Sequence, residues 1–140
     1  MDHLERGMLM SNDQRRLYRL SPWLIRALIP PCCVGAYQLF QIQQAFVELM
    51  YIGRSDTCLR QRLIYHAYQK KAVFFDFDVV LSPEKAFLVE SALFHTARSQ
   101  LTNVIHPARP RWSTLQCPFC WKSLESAQQN RMNQRGRSSR

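Results

Sequence analysis

Between Cys33 and Gly53 the chain reads CVGAYQLFQIQQAFVELMYIG, and this stretch decides the fold. Its two halves, Cys33 to Phe40 and Ala45 to Ile52, are rich in β-branched and aromatic residues, and the segment Gln41 to Gln44 separates them. Such a pattern predicts two strands joined by a modest loop, with Gly53 ending the second. Working outward, Thr57 to about Gln69 turns helical, because Leu59, Leu63 and Ala67 recur at i, i+4 and i+8. Ala72 to Leu81 then reads as a third strand, aromatic and carrying Asp76 and Asp78. Ser82-Pro83-Glu84 starts a helix, with serine at the N-cap, proline at the first helical position and an acid complementing the helix dipole; it is expected to run to about Arg98. The order β-β-α-β-α implies an α+β fold, a small three-stranded antiparallel sheet flanked by helices with one sheet face left free for a substrate.

Pro30-Pro31 is a firm boundary, since neither residue has an amide proton and each biases its predecessor away from helix. Residues 1–31 therefore read as an N-terminal helical extension, with Ser11, Asn12 or Asp13 capping a helix to about Leu20 that Ser21-Pro22 breaks or restarts. Residues 32–108 form the central domain. Pro107, Pro110 and Pro118 make Ile105 to Cys117 an irregular strap. Residues 109–126 hold that strap, its CPFC motif and a short helix, and 127–140 read as a basic, disordered tail.

The 140 residues suffice for one core, and their formal charge of +9 points to a polyanionic partner. Nucleic acid is favoured over an acidic membrane. The apolar run Trp23 to Ile29 is interrupted by Arg26 and too short to span a bilayer, and no cleavage-site pattern marks secretion. Cys32, Cys33, Cys58, Cys117 and Cys120 lack the spacing of a disulfide scaffold, which fits a reducing cytoplasm.

Placing successive residues of the Pro83 to Arg98 helix about 100° apart puts Ala86, Phe87, Glu90, Leu93, Phe94 and Ala97 on one face. A carboxylate amid that stripe calls for a compensating cation, a hard divalent ion or a paired arginine, unless it reaches solvent at the stripe's edge. On the preceding helix Arg62 and His66 are one turn apart, so they share a face. Arginine suits charge developing on a phosphoryl group and histidine can exchange a proton, although taken alone the pair reads more simply as a solvated helix face. Tyr37 and Tyr51 sit in the hairpin strands, where half-buried tyrosines are common.

Taken in order, these residues resemble the GIY-YIG nuclease superfamily over about Val34 to Pro107. Gly35-Ala36-Tyr37 is similar to the first motif with alanine for isoleucine, and Tyr51-Ile52-Gly53-Arg54 to the second. Leu59-Arg60-Gln61-Arg62-Leu63 with His66 resembles the helix bearing the catalytic arginine and histidine, after a loop one residue longer than usual, and Glu90 and Asn103 fall where a metal-binding glutamate and a late asparagine are expected. The resemblance implies an endonuclease hydrolysing phosphodiester bonds in DNA, with RNA as the alternative substrate. It further implies that Glu90 holds one Mg²⁺ or Mn²⁺, Tyr37 helps activate water, Tyr51 orients water or phosphate, Arg62 stabilises charge, His66 accepts a proton or binds phosphate, and Asn103 holds the local geometry. Arg62 rather than Arg60 is expected to be catalytic because it alone is one turn from His66.

Arg54, Arg60, Lys70 and Lys71 are candidate nucleic-acid contacts, and the arginines of the strap and tail could add more. Cys117-Pro118-Phe119-Cys120 has the spacing of half a zinc site, for which Cys32, Cys33 and His106 are the candidates to complete a structural Zn²⁺ set, although free, redox-inert thiols are the favoured reading of these cysteines. Trp112, Phe119 and Trp121 are expected to pack on the core rather than stack on bases. Two other readings stay open: a related module that binds nucleic acid without cutting it, and a zinc-stabilised interaction domain.

Overall fold

The computed structural model describes residues 16–97, 101 and 105–120. Its elements, in order, are β1 (Tyr18–Arg19), α1 (Pro22–Leu28), β2 (Val34–Gln43), β3 (Phe46–Ser55), α2 (Leu59–Tyr68), β4 (Phe74–Val80) and α3 (Pro83–Ala97). The fold is α+β, and no helix among the described residues is long and apolar enough to cross a membrane.

Among the described residues the sheet has four strands in the order β1-β4-β2-β3, not the expected three. The additional strand is the pair Tyr18 and Arg19, which lies antiparallel against Phe75 and Phe74. The helix expected to reach Leu20 therefore does not extend that far; the part of it before Arg16 lies outside the described residues. Tertiary pairing overrides the weak local cap signal here, since Tyr18 gains ring contacts with Phe75 and Phe77 at 5.7 and 6.0 Å.

Strand β2 continues through Gln43, inside the expected loop, and β3 continues past Gly53 to Ser55. The two close through the two-residue turn Gln44-Ala45, between the paired Gln43 and Phe46. Both turn residues have positive φ, 50° and 66°, as the twist of a two-residue hairpin demands. Further along, the register slips between Leu39 and Phe40, so that Met50 becomes the extra residue of a bulge on β3.

Residues directly opposed across antiparallel strands share a face. Tyr37, Leu39, Tyr51 and Gly53 look toward α2, whereas Ala36, Gln38, Ile52 and Arg54 look toward α3. The α2 side holds the main core, with Ile25 and Ile29 from the α1 segment, Leu59 and Leu63 from α2, and Phe75 from β4, all fully buried. On the other side α3 buries Ala86, Phe87, Glu90, Ser91 and Phe94. Both sheet faces thus carry helices, and the free face expected from the sequence is absent: α1 and α2 fill one side while α3 covers the other.

The turn at Gln44-Ala45 carries two L-residues in the left-handed region, each at a cost of about 1 kcal/mol. The double substitution Gln44→Asn, Ala45→Gly supplies the asparagine–glycine pair that such turns favour. It is expected to stabilise the protein by about 1 kcal/mol, read as a higher denaturant midpoint at unchanged m-value.

Candidate functional site

Both glycines of the hairpin are explained by close approach. A methyl group at Gly53 would stand 2.5 Å from the Tyr37 hydroxyl and 2.6 Å from its ring carbon, and one at Gly35 would strike the Asp78 carbonyl and a Leu59 methyl. Gly53 and Tyr37 are register partners, so the tyrosine ring lies across the bare backbone of the neighbouring strand. Tyr37 is 1% exposed, and its hydroxyl finds its partner in Nε2 of His66 at 2.6 Å. Tyr51 stacks beside it at 6.1 Å and contacts the His66 ring at 5.6 Å. Lys71 covers the outer face of Tyr51, its Nζ 3.7 Å from the ring centroid.

Burial raises the Tyr37 phenol well above its ordinary range; Tyr51 adds to the rise, Arg62 opposes it and Glu90 adds again. Burial also pushes His66 down to about 4, helped by the positive charges of Lys71 and Arg62. At neutral pH the pair is therefore an un-ionised phenol donating to a neutral imidazole, with its proton on Nδ1. That buried Nδ1 has no hydrogen-bond partner.

Glu90 is buried at 8% exposure on the opposite face, and Nη1 of Arg54 lies 2.7 Å from its Oε1. The same guanidinium donates from Nε to Asp56 at 2.8 Å and rests over Phe87, 5.3 Å from the ring centroid. Burial raises the Glu90 carboxyl above its usual range despite the lowering effect of Arg54. For Arg54 burial acts downward, but the hydrogen bonds and charges of Asp56 and Glu90 outweigh it. The paired arginine expected as one compensating cation for Glu90 is Arg54. Two carboxylates, Glu90 and Asp56, thus flank one guanidinium.

The two faces meet at a groove of about 610 Å³ beyond the C-terminal end of β3, lined among others by Arg54, Asp56, Gln61, Arg62, Tyr65, Glu90 and Ala108. Because β3 is an edge strand, side chains of α2 and α3 reach past it to line a common space. Arg62 lines the groove, whereas Arg60 turns away and donates to the carbonyl of Arg26 in α1 at 3.0 Å. Lys70 is exposed at the end of α2 with φ 49°. Asn103 lies outside the described residues. Of the expected residues, then, Tyr37, Tyr51, His66 and Lys71 form one cluster and Arg54, Arg62 and Glu90 border the adjoining groove. Asp56 was missed; its one signal is its place two residues beyond Arg54, on the loop that enters α2.

A second constellation lies at the far end of α3. Ligand-capable atoms of His95, His106, Cys117 and Cys120 all fall within 4.8 Å of one another, a set able to hold a metal ion. Cys32 and Cys33 are not in it: Cys32 is exposed, and both precede β2. His95 takes the remaining place because it projects from the last turn of α3 toward the strap. The spacing of His95, His106 and the CPFC pair was its available signal. Trp112 also departs from expectation, being 91% exposed with Arg111 over its ring at 5.2 Å, and Phe119 is half exposed near His95; Trp121 lies outside the described residues.

No protein-family model, curated protein or solved structure matches this chain significantly.

Two outcomes follow from the geometry. Gly53→Ala forces the buried Tyr37 ring off its seat, costing about 2 kcal/mol in unfolding free energy and breaking the bond to His66. For pH, the folded protein keeps His66 neutral down to about 4, whereas an unperturbed imidazole protonates near 6.5. Between those values the unfolded chain binds more protons, so this contribution to stability is lost as pH falls from about 6.5 to about 4 and levels off below. Unfolding free energy measured across that window is expected to fall less steeply in His66→Gln than in the wild type; equal slopes would remove the assignment.

Proposed function

We propose that the chain is a metal-dependent endonuclease of the GIY-YIG type that hydrolyses phosphodiester bonds in DNA. One observation carries this reading: a buried Tyr37–His66 hydrogen bond of 2.6 Å adjoins a groove lined by Arg62 and Glu90. A carboxylate, an arginine and a tyrosine–imidazole proton pair are what in-line cleavage of a phosphate diester requires. Four further features support it. The formal charge is +9, the first turn of α2 borders the groove and favours an anion, Lys71 adds charge beside Tyr51, and the order of the motifs resembles that of the family.

In this reading Arg54 releases Glu90 and stays with Asp56, and Glu90 would hold a Mg²⁺ or Mn²⁺. The bound ion supplies neutralisation of charge on the scissile phosphate and the leaving oxygen. Tyr37 accepts a proton from the attacking water as its own proton passes to His66, which ends as imidazolium. The new P–O bond forms as the opposite one breaks, and the leaving alkoxide takes its proton from solvent. Tyr51 orients the water or phosphate from its stacked position, and Arg62 binds the equatorial oxygens as charge gathers on them.

A second reading, a module that binds nucleic acid without cutting, is favoured by two facts: Glu90 is paired with Arg54, and Tyr37 is closed to solvent. Cleavage assays on linear, nicked and branched DNA with Mg²⁺ or Mn²⁺ separate the two. Activity is expected for the wild type, with Glu90→Ala and Tyr37→Phe each lowering kcat by at least about a hundredfold. Wild-type inactivity on every substrate, with DNA binding retained, selects the binding module; equal cleavage by Glu90→Ala and wild type rejects the proposed chemistry.

A further inference from the structure

The strap 105–120 contains neither helix nor strand, yet it forms a wall of the groove through Ala108 and buries Pro110 and Cys117. Without a backbone ladder, side chains must hold it. At its junction with α3 the strap brings His106, Cys117 and Cys120 to His95, with ligand-capable atoms of all four within 4.8 Å of one another.

A Zn²⁺ bound by two imidazoles and two thiolates at about 2.0 and 2.3 Å has ligand-to-ligand edges of about 3.3–3.8 Å. Here the edges His95 Nε2 to Cys117 Sγ, His95 Nε2 to Cys120 Sγ and His106 Nε2 to Cys120 Sγ are 3.5, 3.3 and 3.1 Å, and the two Nε2 atoms are 3.1 Å apart. His106 Nδ1 lies 2.7 Å from the carbonyl of Pro107, which makes Nδ1 the donor and leaves the Nε2 lone pair aimed at the cluster. An outer-shell carbonyl of this kind is the usual means of fixing the tautomer of a ligating histidine. The amide of Cys120 turns back on the carbonyl of Cys117, bringing the two sulfurs to one side. Phe94 contributes an apolar shelf, edge-on to both histidine rings at 5.8 and 5.5 Å.

We propose that His95, His106, Cys117 and Cys120 bind a structural Zn²⁺ that clamps the strap to the end of α3 and thereby fixes the groove wall at Ala108. Two soft thiolates with two imidazoles select zinc over magnesium or calcium, and four protein ligands leave no open position for chemistry. Two thiolates also balance the ion's charge. Glu90 lies five residues before His95 on the same helix, so the clamp holds one end of the element that presents the groove's carboxylate. The site does not depend on the catalytic reading.

The test uses the full chain expressed in zinc-supplemented medium. Elemental analysis is expected to find about one Zn²⁺ per chain in the wild type and in Glu90→Gln, and at least about tenfold less in the double variant Cys117→Ser, Cys120→Ser. Because misfolding of that variant would also lower its zinc content, the wild type is stripped and titrated with Co²⁺ as well. Tetrahedral d–d bands with thiolate charge-transfer absorption are expected, together with restored amide-exchange protection across 105–120 while β2–β4 stay protected throughout. Less than a tenth of an equivalent of zinc, a Co²⁺ spectrum without thiolate bands, or strap exchange unchanged by the metal each overturns the proposal. Loss of DNA cleavage alone leaves zinc content as expected and bears only on the function proposed above.

Discussion

The Tyr37 hydroxyl is the constraint from which the rest of the structure follows. A fully buried phenol needs a partner for its proton, and it needs room, and both come from outside its own strand. Room comes from Gly53 across the hairpin, which admits the ring only because it lacks a side chain. The partner is His66, which can reach only if α2 crosses the same face of the sheet. One side chain therefore ties the register of β2 and β3 to the placement of α2, and that placement sets Arg62, one turn before His66, at the mouth of the groove.

Electrostatics follows from the same packing. Around Tyr37 and His66 burial dominates and keeps both groups neutral, with Lys71 and Arg62 placing positive charge close by. Across the sheet burial also dominates at Glu90, but there the carboxyl is paired with Arg54, which Asp56 shares. A buried pair of this kind adds little net stability, because desolvation offsets the attraction; what it does is hold a carboxylate and a guanidinium in defined positions beside an open groove. Arg54 thereby bridges Glu90 and Asp56.

Much of this was legible in the chain itself. The hairpin, the helix carrying Arg62 and His66, the aromatic third strand and the helix opened by Ser82-Pro83 all lie within a few residues of where their periodicity places them, because each buries one face and so alternates with the period of its own backbone. The position of Glu90 within an apolar stripe likewise marked it as a charge needing compensation. The misreadings share a cause. Tyr18-Arg19 is too short to show any period and becomes a strand only because β4 offers an open edge. Ile25 and Ile29 joined the core although they precede the double proline. Covering of both sheet faces depended on which way α3 crosses, a matter of tertiary packing that no local pattern encodes.

The amino-acid sequence by itself determined the element order, the two glycine-spaced tyrosines and the shared helix face of Arg62 and His66, since these rest on spacing along one segment. Only the tertiary structure decided how residues distant in the chain pair off. It gave Glu90 to Arg54 and Asp56, sent Arg60 to α1 rather than to the groove, and brought His95 instead of Cys32 or Cys33 to His106, Cys117 and Cys120. The physical reason is that ion pairs and ligand sets require atoms within about 3–4 Å of each other. Separations of that order between segments are set by how strands and helices pack, and spacing along the chain does not carry them.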